Sequence, residues 1–435
     1  MRSNARSVLS SSNAVKFGLV FCVVNLHTLR NLSDLLYLAV YVPTAVVVTA
    51  QFLFLDKRAI LRGSGALFYV WILLACLAFA VSLLTISAGG AIYGFIRFLF
   101  AAPIFMALVL YTSDEDDLRK HIRTAVVFFA VASLTLPLQF VVGPISWFAE
   151  SSTRAGFDRY STLVGSLTSM GIVVGSYMLL AQGMTSSRRW LWVSFTALAA
   201  TASLSKSAIA NVAVAAILLI YLNRKSLGRL LGISLVAVIL ALLVTYQFPS
   251  VEQRFAASLQ SFGIGYGDIQ SANYDDTVGA SAVDRLTSLP KENIDALADL
   301  GSPFVYLIGG GYGMANSALV PEEESLAPMA HNQFAELITV FGVVGGAGML
   351  AVMARIALLL LRNHRRSRSD IYLVGLAAYG LLMFNSLFAN GTVYQPAAAS
   401  VFFLALFMAT SGLHVAEVKD GASRSRDSLT KRRLD

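Results

Sequence analysis

The chain has 435 residues, of which 56% are hydrophobic and only 13% charged, where a soluble domain carries about 25% charged residues. That balance excludes a disordered chain, a collagen-like repeat and a disulfide scaffold, and it disfavours a large water-soluble enzyme, because one core cannot bury so much apolar surface. The formal net charge of +8 would suggest nucleic acid in a soluble protein, but here the charge first has to be mapped onto a membrane.

A helix of about 20 apolar residues crosses the hydrocarbon core of a bilayer. Twelve runs qualify, at approximately 14–29, 33–55, 65–86, 90–111, 122–145, 161–183, 190–204, 207–222, 230–248, 332–361, 371–391 and 394–415. The first and seventh are short. The runs are continuously apolar, without the alternation of a β-barrel. Lipid cannot satisfy free backbone amides, so the expected fold is an all-α polytopic membrane protein. The chain divides into 1–248, holding nine spans with short loops; an external loop, 249–331; three more spans, 332–415; and a tail, 416–435. The tail is rich in Ser, Arg, Lys and Asp and reads as a disordered end near anionic headgroups. No small-residue cleavage site follows the first apolar stretch.

Basic residues set the orientation. With the N-terminus inside, the cytoplasmic segments hold 24 of the 33 Lys and Arg, among them Arg119, Lys120 and Arg123, Arg188 and Arg189, and Arg362, Arg365, Arg366 and Arg368. The other side holds Arg30, Arg154, Arg159, Lys206, Arg254, Arg285 and Lys291, and two more, Arg97 and Arg355, lie within spans. This follows the positive-inside rule and places both termini in the cytoplasm. Cys22 and Cys76 both fall in apolar runs, so they are expected as packed core residues and not as a disulfide framework.

The long external loop has 11 acidic and three basic residues, a net charge of −8. Ser281 to Leu300 reads as one or two short helices broken at Pro290, and Gly309–Gly310–Gly311–Tyr312–Gly313 then forces a turn. The loop ends at His331–Asn332, where the tenth span begins. A shorter external loop, 146–160, contains Arg154, Gly156, Arg159 and Tyr160.

No P-loop, no dinucleotide fingerprint, no His-Glu-x-x-His and no Cys cluster is present, so a primary pump and a metalloprotease of the usual pattern are disfavoured. Asp275–Asp276 and Glu322–Glu323–Glu324 are the acidic runs that could hold a divalent cation, but such runs are more often solvated surface. His331 and Asn332 open a helix whose positive end attracts anions. Arg154, Arg159 and Arg285 run against the positive-inside trend. Guanidinium binds phosphate bidentately and keeps its charge. These cations beside a histidine therefore suggest an anionic ligand, although loop salt bridges account for any single one. Arg97, inside a span, costs about 2.5–3.5 kcal/mol on insertion scales if unpaired, which points to a functional or inter-helix contact. Gly342 and Gly346 form a Gly-x-x-x-Gly pair that suits close helix packing, within one chain or between two.

The run Gly309-Gly-Gly-Tyr-Gly313, followed about 20 residues later by His331-Asn-Gln-Phe-Ala-Glu-Leu-Ile-Thr-Val-Phe-Gly342-Val-Val-Gly345, resembles the signature of the O-antigen ligase/polymerase family. Arg285 resembles the arginine that the family places before its glycines. Arg154-Ala-Gly156 resembles its other arginine loop, with Arg159 the alternative. Ser203-Leu-Ser-Lys206-Ser resembles its S-x-S-[RK] segment. The resemblance spans about 160–350. It implies a GT-C-like membrane glycosyltransferase of the bacterial inner membrane, working at the periplasmic face without metal or cofactor. The donor would be an undecaprenyl-diphosphate-linked glycan, and other polysaccharide assembly proteins would be partners. Nucleic acid is removed as a partner separately, because the +8 is the sum of basic cytoplasmic segments and an outer loop of −8. On this reading His331 and Arg285 are catalytic, as base or acceptor-orienting group and as diphosphate clamp. Arg154, Arg159, Tyr160, Lys206, Gly311, Gly313 and Asn332 would bind substrate. The family contains polymerases, which join lipid-linked repeat units, and ligases, which move a finished chain to lipid A–core. The Arg159-Tyr-Ser-x-Leu-x-Gly165 segment favours a polymerase. A transporter of lipid-linked glycan or solute is the alternative of another class. No two-fold repeat of six spans supports it.

Overall fold

The computed structural model describes residues 13–54, 65–145, 152–154, 157–165, 167–203, 205–223 and 286–411. The ninth predicted run, most of the long loop including Arg285, and the tail lie outside them. Helix α1 (Asn13–Asn25) continues through a 3-10 segment to α2 (Asp34–Leu53), which Ser33 caps by accepting from Leu36 N. Then come α3 (Ala66–Thr85), α4 (Ala88–Leu99), α5 (Ala102–Tyr111), α6 (Glu115–Ser133) and α7 (Thr135–Val142). A hairpin of β1 (Ser152–Arg154) and β2 (Phe157–Arg159) leads to α8 (Leu167–Leu180), α9 (Arg189–Ala202) and α10 (Lys206–Leu222). The remainder holds α11 (Ser288–Asp295), α12 (Val305–Ile308), α13 (Gln333–Ser367), α14 (Asp370–Asn385) and α15 (Pro396–Ser411).

Five segments are long and apolar enough to cross a membrane: Asp34–Leu53, Ala66–Thr85, Ala88–Tyr111, Glu115–Gln139 and Gln333–Ser367. Asn13–Leu29, Ser169–Gly183, Ser207–Leu222, Asp370–Asn385 and Pro396–Ser411 are apolar but shorter. The core is rich in stacked aromatic rings. Phe68 stacks on Phe105 at 4.5 Å between centroids, Trp71 on Phe98 at 5.0 Å, and Phe129 on Tyr177 at 3.9 Å.

The structure corrects several boundaries. The run 90–111 is one span, Ala88–Tyr111, with a kink at Phe100–Ala101 that divides it into α4 and α5, because Pro103 in the first turn of α5 has no N–H for the carbonyl of Leu99, where α4 ends. The same spacing separates α6 from α7, with Pro137 four residues after Ser133. Pro290 does not break its helix. It sits in the first turn of α11, where an N–H would have no partner anyway. The run 371–391 stops at Asn385, and 386–395 turns back against the start of α13. Run 161–183 begins instead with a Thr162–Gly165 bridge. The hairpin, paired Ser152 to Arg159 and Arg154 to Phe157, departs from a purely α fold. Both cysteines are free, but neither is a core residue: Cys22 is half-buried and Cys76 exposed.

Polar contacts sort the helix ends into two groups. At one end Arg119 donates to Gly183 O at 2.9 Å, Ser369 Oγ donates to Glu115 at 2.8 Å, and Asn363 donates to Ala409 O at 2.9 Å. At the other, Thr85 Oγ1 donates to Gly310 O at 2.8 Å, Gln139 to Ser161 O at 2.8 Å, and Gln333 N to Ser386 O at 2.8 Å. The candidate residues gather at this second end.

Candidate functional site

The glycine turn is a wedge between α3 and α13. Gly309 and Gly311 adopt φ of 84° and 75°, the left-handed region that glycine alone enters without penalty. Helix α13 is itself interrupted at Gly342, with φ 68° and ψ 178°. That interruption removes the in-helix partners of the preceding carbonyls. Gly310 N and Gly311 N fill the gap, donating to Thr339 O at 2.9 Å and Val340 O at 3.1 Å. Gly309 and Gly342 approach so closely that a Cβ on either would fall on the other strand's backbone. Gly342 therefore serves this intrachain crossing rather than a Gly-x-x-x-Gly helix pair. Tyr312 N donates to Ser82 Oγ at 2.7 Å, and its hydroxyl reaches Ala75 O at 2.7 Å. Gly311 and Gly313 are both buried, the first against Ser82 and the second against Ile86 and Leu326.

At the start of α13, His331 holds a φ of 49°, a left-handed conformation that is uncommon for a side-chain-bearing residue. It is half-buried. Asn332 is the N-cap: its Oδ1 accepts from Phe334 N at 3.0 Å and Ala335 N at 3.2 Å, and its Nδ2 donates to Leu387 O at 3.1 Å. Gln333 N is taken by Ser386 O, and Glu336 N by Asn332 O. The four leading N–H groups are thus all satisfied inside the protein. The helix start offers no open donor to a phosphate, contrary to the sequence expectation, and the anion would have to be held by side chains.

Beneath this cap lies a buried polar cluster that the sequence reading missed. Gln333 Oε1 accepts from Thr392 N at 2.7 Å, and its Nε2 donates to Glu336 Oε1 at 3.1 Å. Glu336 is 2% exposed, and its Oε1 also accepts from the Tyr394 hydroxyl at 2.8 Å. Asn390 faces the same carboxylate, yet Glu336 Oε2 and Asn390 Nδ2 lack a hydrogen bond of good geometry among the described residues. Burial, and then the neighbouring carboxylate, push the Tyr394 phenol well above its ordinary range, while the Arg97 charge works in the opposite direction. Tyr394 therefore stays a neutral donor. Arg97 also donates to the Tyr93 hydroxyl at 3.2 Å. The available signal was a lone acid inside an apolar run, the same signal that singled out Arg97.

The third element is the corner between α9 and α10. Ser203 and Ser205 are buried, and Lys206 is the first residue of α10. Asn211, one turn further, donates to Gly171 O at 2.6 Å and accepts from Asn385 Nδ2 at 2.6 Å. Asn385 precedes Ser386, the partner of Gln333, so a polar chain links this corner to the α13 cap. Arg154 and Arg159 lie on β1 and β2, and Tyr160 follows β2, half-buried. Asn293 on α11 joins the loop to α13, donating to Pro328 O at 2.8 Å and accepting from Thr339 Oγ1 at 2.7 Å. Among the described residues no group of three or more His, Cys, Asp or Glu is placed to hold a metal ion.

No model of a known protein family matches this chain, and no curated protein matches it.

Proposed function

We propose that the protein is a bacterial inner-membrane glycosyltransferase. It takes a glycan from undecaprenyl diphosphate and transfers it, at the periplasmic face, to a hydroxyl of another lipid-linked repeat unit. One observation carries this reading. Three segments singled out for their resemblance to the O-antigen ligase/polymerase family, far apart in sequence, converge at one end of the bundle: the glycine turn, the His331–Asn332 cap and the Ser203–Ser207 corner. The opposite end carries Arg119, Arg188, Arg365 and Arg366, which supports assigning the convergent end to the outer face.

In the mechanism, cleavage of the sugar–phosphate bond places negative charge on the leaving diphosphate, and preorganised cations stabilise it. Arg285 and Arg154 or Arg159 take that role. His331 accepts the proton of the attacking hydroxyl or orients it, a task suited to imidazole near neutral pH. The prediction is that His331→Ala and Arg285→Ala abolish polymer formation while protein level holds. Normal polymer from either variant at wild-type expression overturns the assignment. A deletion strain separates the two acceptor classes: loss of a polymerase leaves single repeat units, and loss of a ligase leaves long polymer on undecaprenyl diphosphate.

A transporter is the second reading. Helices interrupted at Phe100–Ala101, Leu134 and Gly342 are a feature of carriers, whose broken helices line substrate sites. Purified protein in liposomes decides: a carrier moves labelled solute, and the enzyme lengthens a lipid-linked glycan.

A further inference from the structure

We propose that residues 300–321 are a re-entrant membrane segment, and that the exposed face of α12 within it lies against the acyl chains of the bilayer. This inference does not depend on the proposed activity. In a loop of net charge −8, the 22 residues from Leu300 to Pro321 carry no charged side chain, between Asp299 and Glu322. Their depth follows from their partners. Helix α3 has 20 residues, about 30 Å at 1.5 Å each, which matches the hydrocarbon core. Thr85 then marks its outer edge. Tyr312 N is bonded to Ser82, about one turn below that edge, and the Tyr312 hydroxyl reaches Ala75, about 15 Å below it.

Non-helical backbone at such depth survives only where protein satisfies its polar groups. Here the N–H groups of Gly310, Gly311 and Tyr312 find Thr339 O, Val340 O and Ser82 Oγ, and Gly310 O finds Thr85. Val305 is buried against the protein, while the side chains of Phe304, Tyr306, Leu307 and Ile308 point the other way. Phe304 is 67% exposed and Leu307 49% exposed, with Tyr306 and Ile308 also exposed. The backbone of Leu307 touches Gly342, so this patch runs on into exposed Val343 and Val344 of α13. Helix α13 is one of the candidate spans, and the apolar face of α12 thereby continues a lipid-facing surface.

The test uses the full chain with Cys22 and Cys76 replaced by Ser and a single cysteine at one of three places: Phe304→Cys, Leu307→Cys, or Glu323→Cys as the water-exposed reference. Each is labelled with bimane in detergent and reconstituted in phosphatidylcholine vesicles with or without brominated acyl chains. Strong loss of fluorescence at 304 and 307, with little at 323, is expected. In unlabelled vesicles a membrane-impermeant maleimide should react at 304 and 307 about tenfold or more slowly than at 323, because the thiols lie in hydrocarbon. Labelling as fast as at 323 overturns the proposal. So does slow labelling without lipid quenching, which would mean that protein covers the patch. Unaltered elution of the labelled variants in size-exclusion chromatography controls for folding.

Discussion

His331 combines a strained backbone with a candidate chemical role, and the two can be separated. A left-handed conformation costs a residue with a Cβ about 1–2 kcal/mol, a cost that glycine does not carry. His331→Gly is therefore expected to change thermal stability in detergent little, because the relieved strain offsets the contacts that the imidazole loses, while eliminating polymer formation. A drop in stability together with activity would instead assign the imidazole to packing. Glu324 offers a second test at this scale. Its carboxylate accepts from Ser87 N at 3.1 Å, and hydrogen bonding by Ser87 lowers its pKa below the ordinary glutamate value. A depressed folded-state pKa contributes stability that is complete above the unfolded value and is lost as pH falls through the folded one. Wild type should lose a small increment of stability on acidification through the carboxylate range, and Glu324→Gln should lack it. Identical pH profiles would show that the contact contributes nothing.

At the level of elements, the crossing of Gly309 over Gly342 is the most sensitive point. Gly342→Ala adds a Cβ at positive φ into the backbone of Leu307, and should destabilise by more than about 2 kcal/mol. Gly380 on α14 has nothing within 4 Å of a Cβ. Gly380→Ala should be neutral or stabilising by up to about 1 kcal/mol. Equal thermal shifts for the two would refute the crossing. The apolar runs were readable from sequence because span length and hydropathy are summed over many residues. The interruptions were less so. Pro103 and Pro137 carry a local signal, since each removes one bond to a specific carbonyl. Gly342 carries none, because glycine is common in membrane helices and only its distant partner reveals the break. Leu387, Phe388 and Ala389 keep the hydropathy high past Asn385, so the return of the chain toward Gln333 was invisible. Glu336 and Tyr394, 58 residues apart, meet only through that return.

For the whole molecule, the segregation of cations gives an orientation that experiment can address. Ser187 lies beside Arg188 and Arg189, at the end where Arg119 contacts Gly183. Glu323 lies at the end that holds the glycine turn. In cells whose outer membrane is permeabilised, a cysteine at Glu323 should react with an impermeant thiol reagent, and one at Ser187 only after the inner membrane is broken. The reverse pattern would place the candidate site in the cytoplasm and overturn the proposed transfer at the periplasmic face.

The docking of Tyr312 on α3 also sets a timetable. Ser82 and Tyr312 are 230 residues apart, and Ala75 and Tyr312 are 237 apart. During synthesis α3 enters the membrane long before its cover exists. The carbonyls that the glycine turn occupies on α13 are made later than the turn itself. The bonds from Gly310 N and Gly311 N cannot form until α13 has been inserted and bent at Gly342. Completion of this end is thus late and awaits the last third of the chain. A protein cut short before α13 would keep many of its spans and lack the His331–Asn332 cap and the partners of the glycine turn on α13.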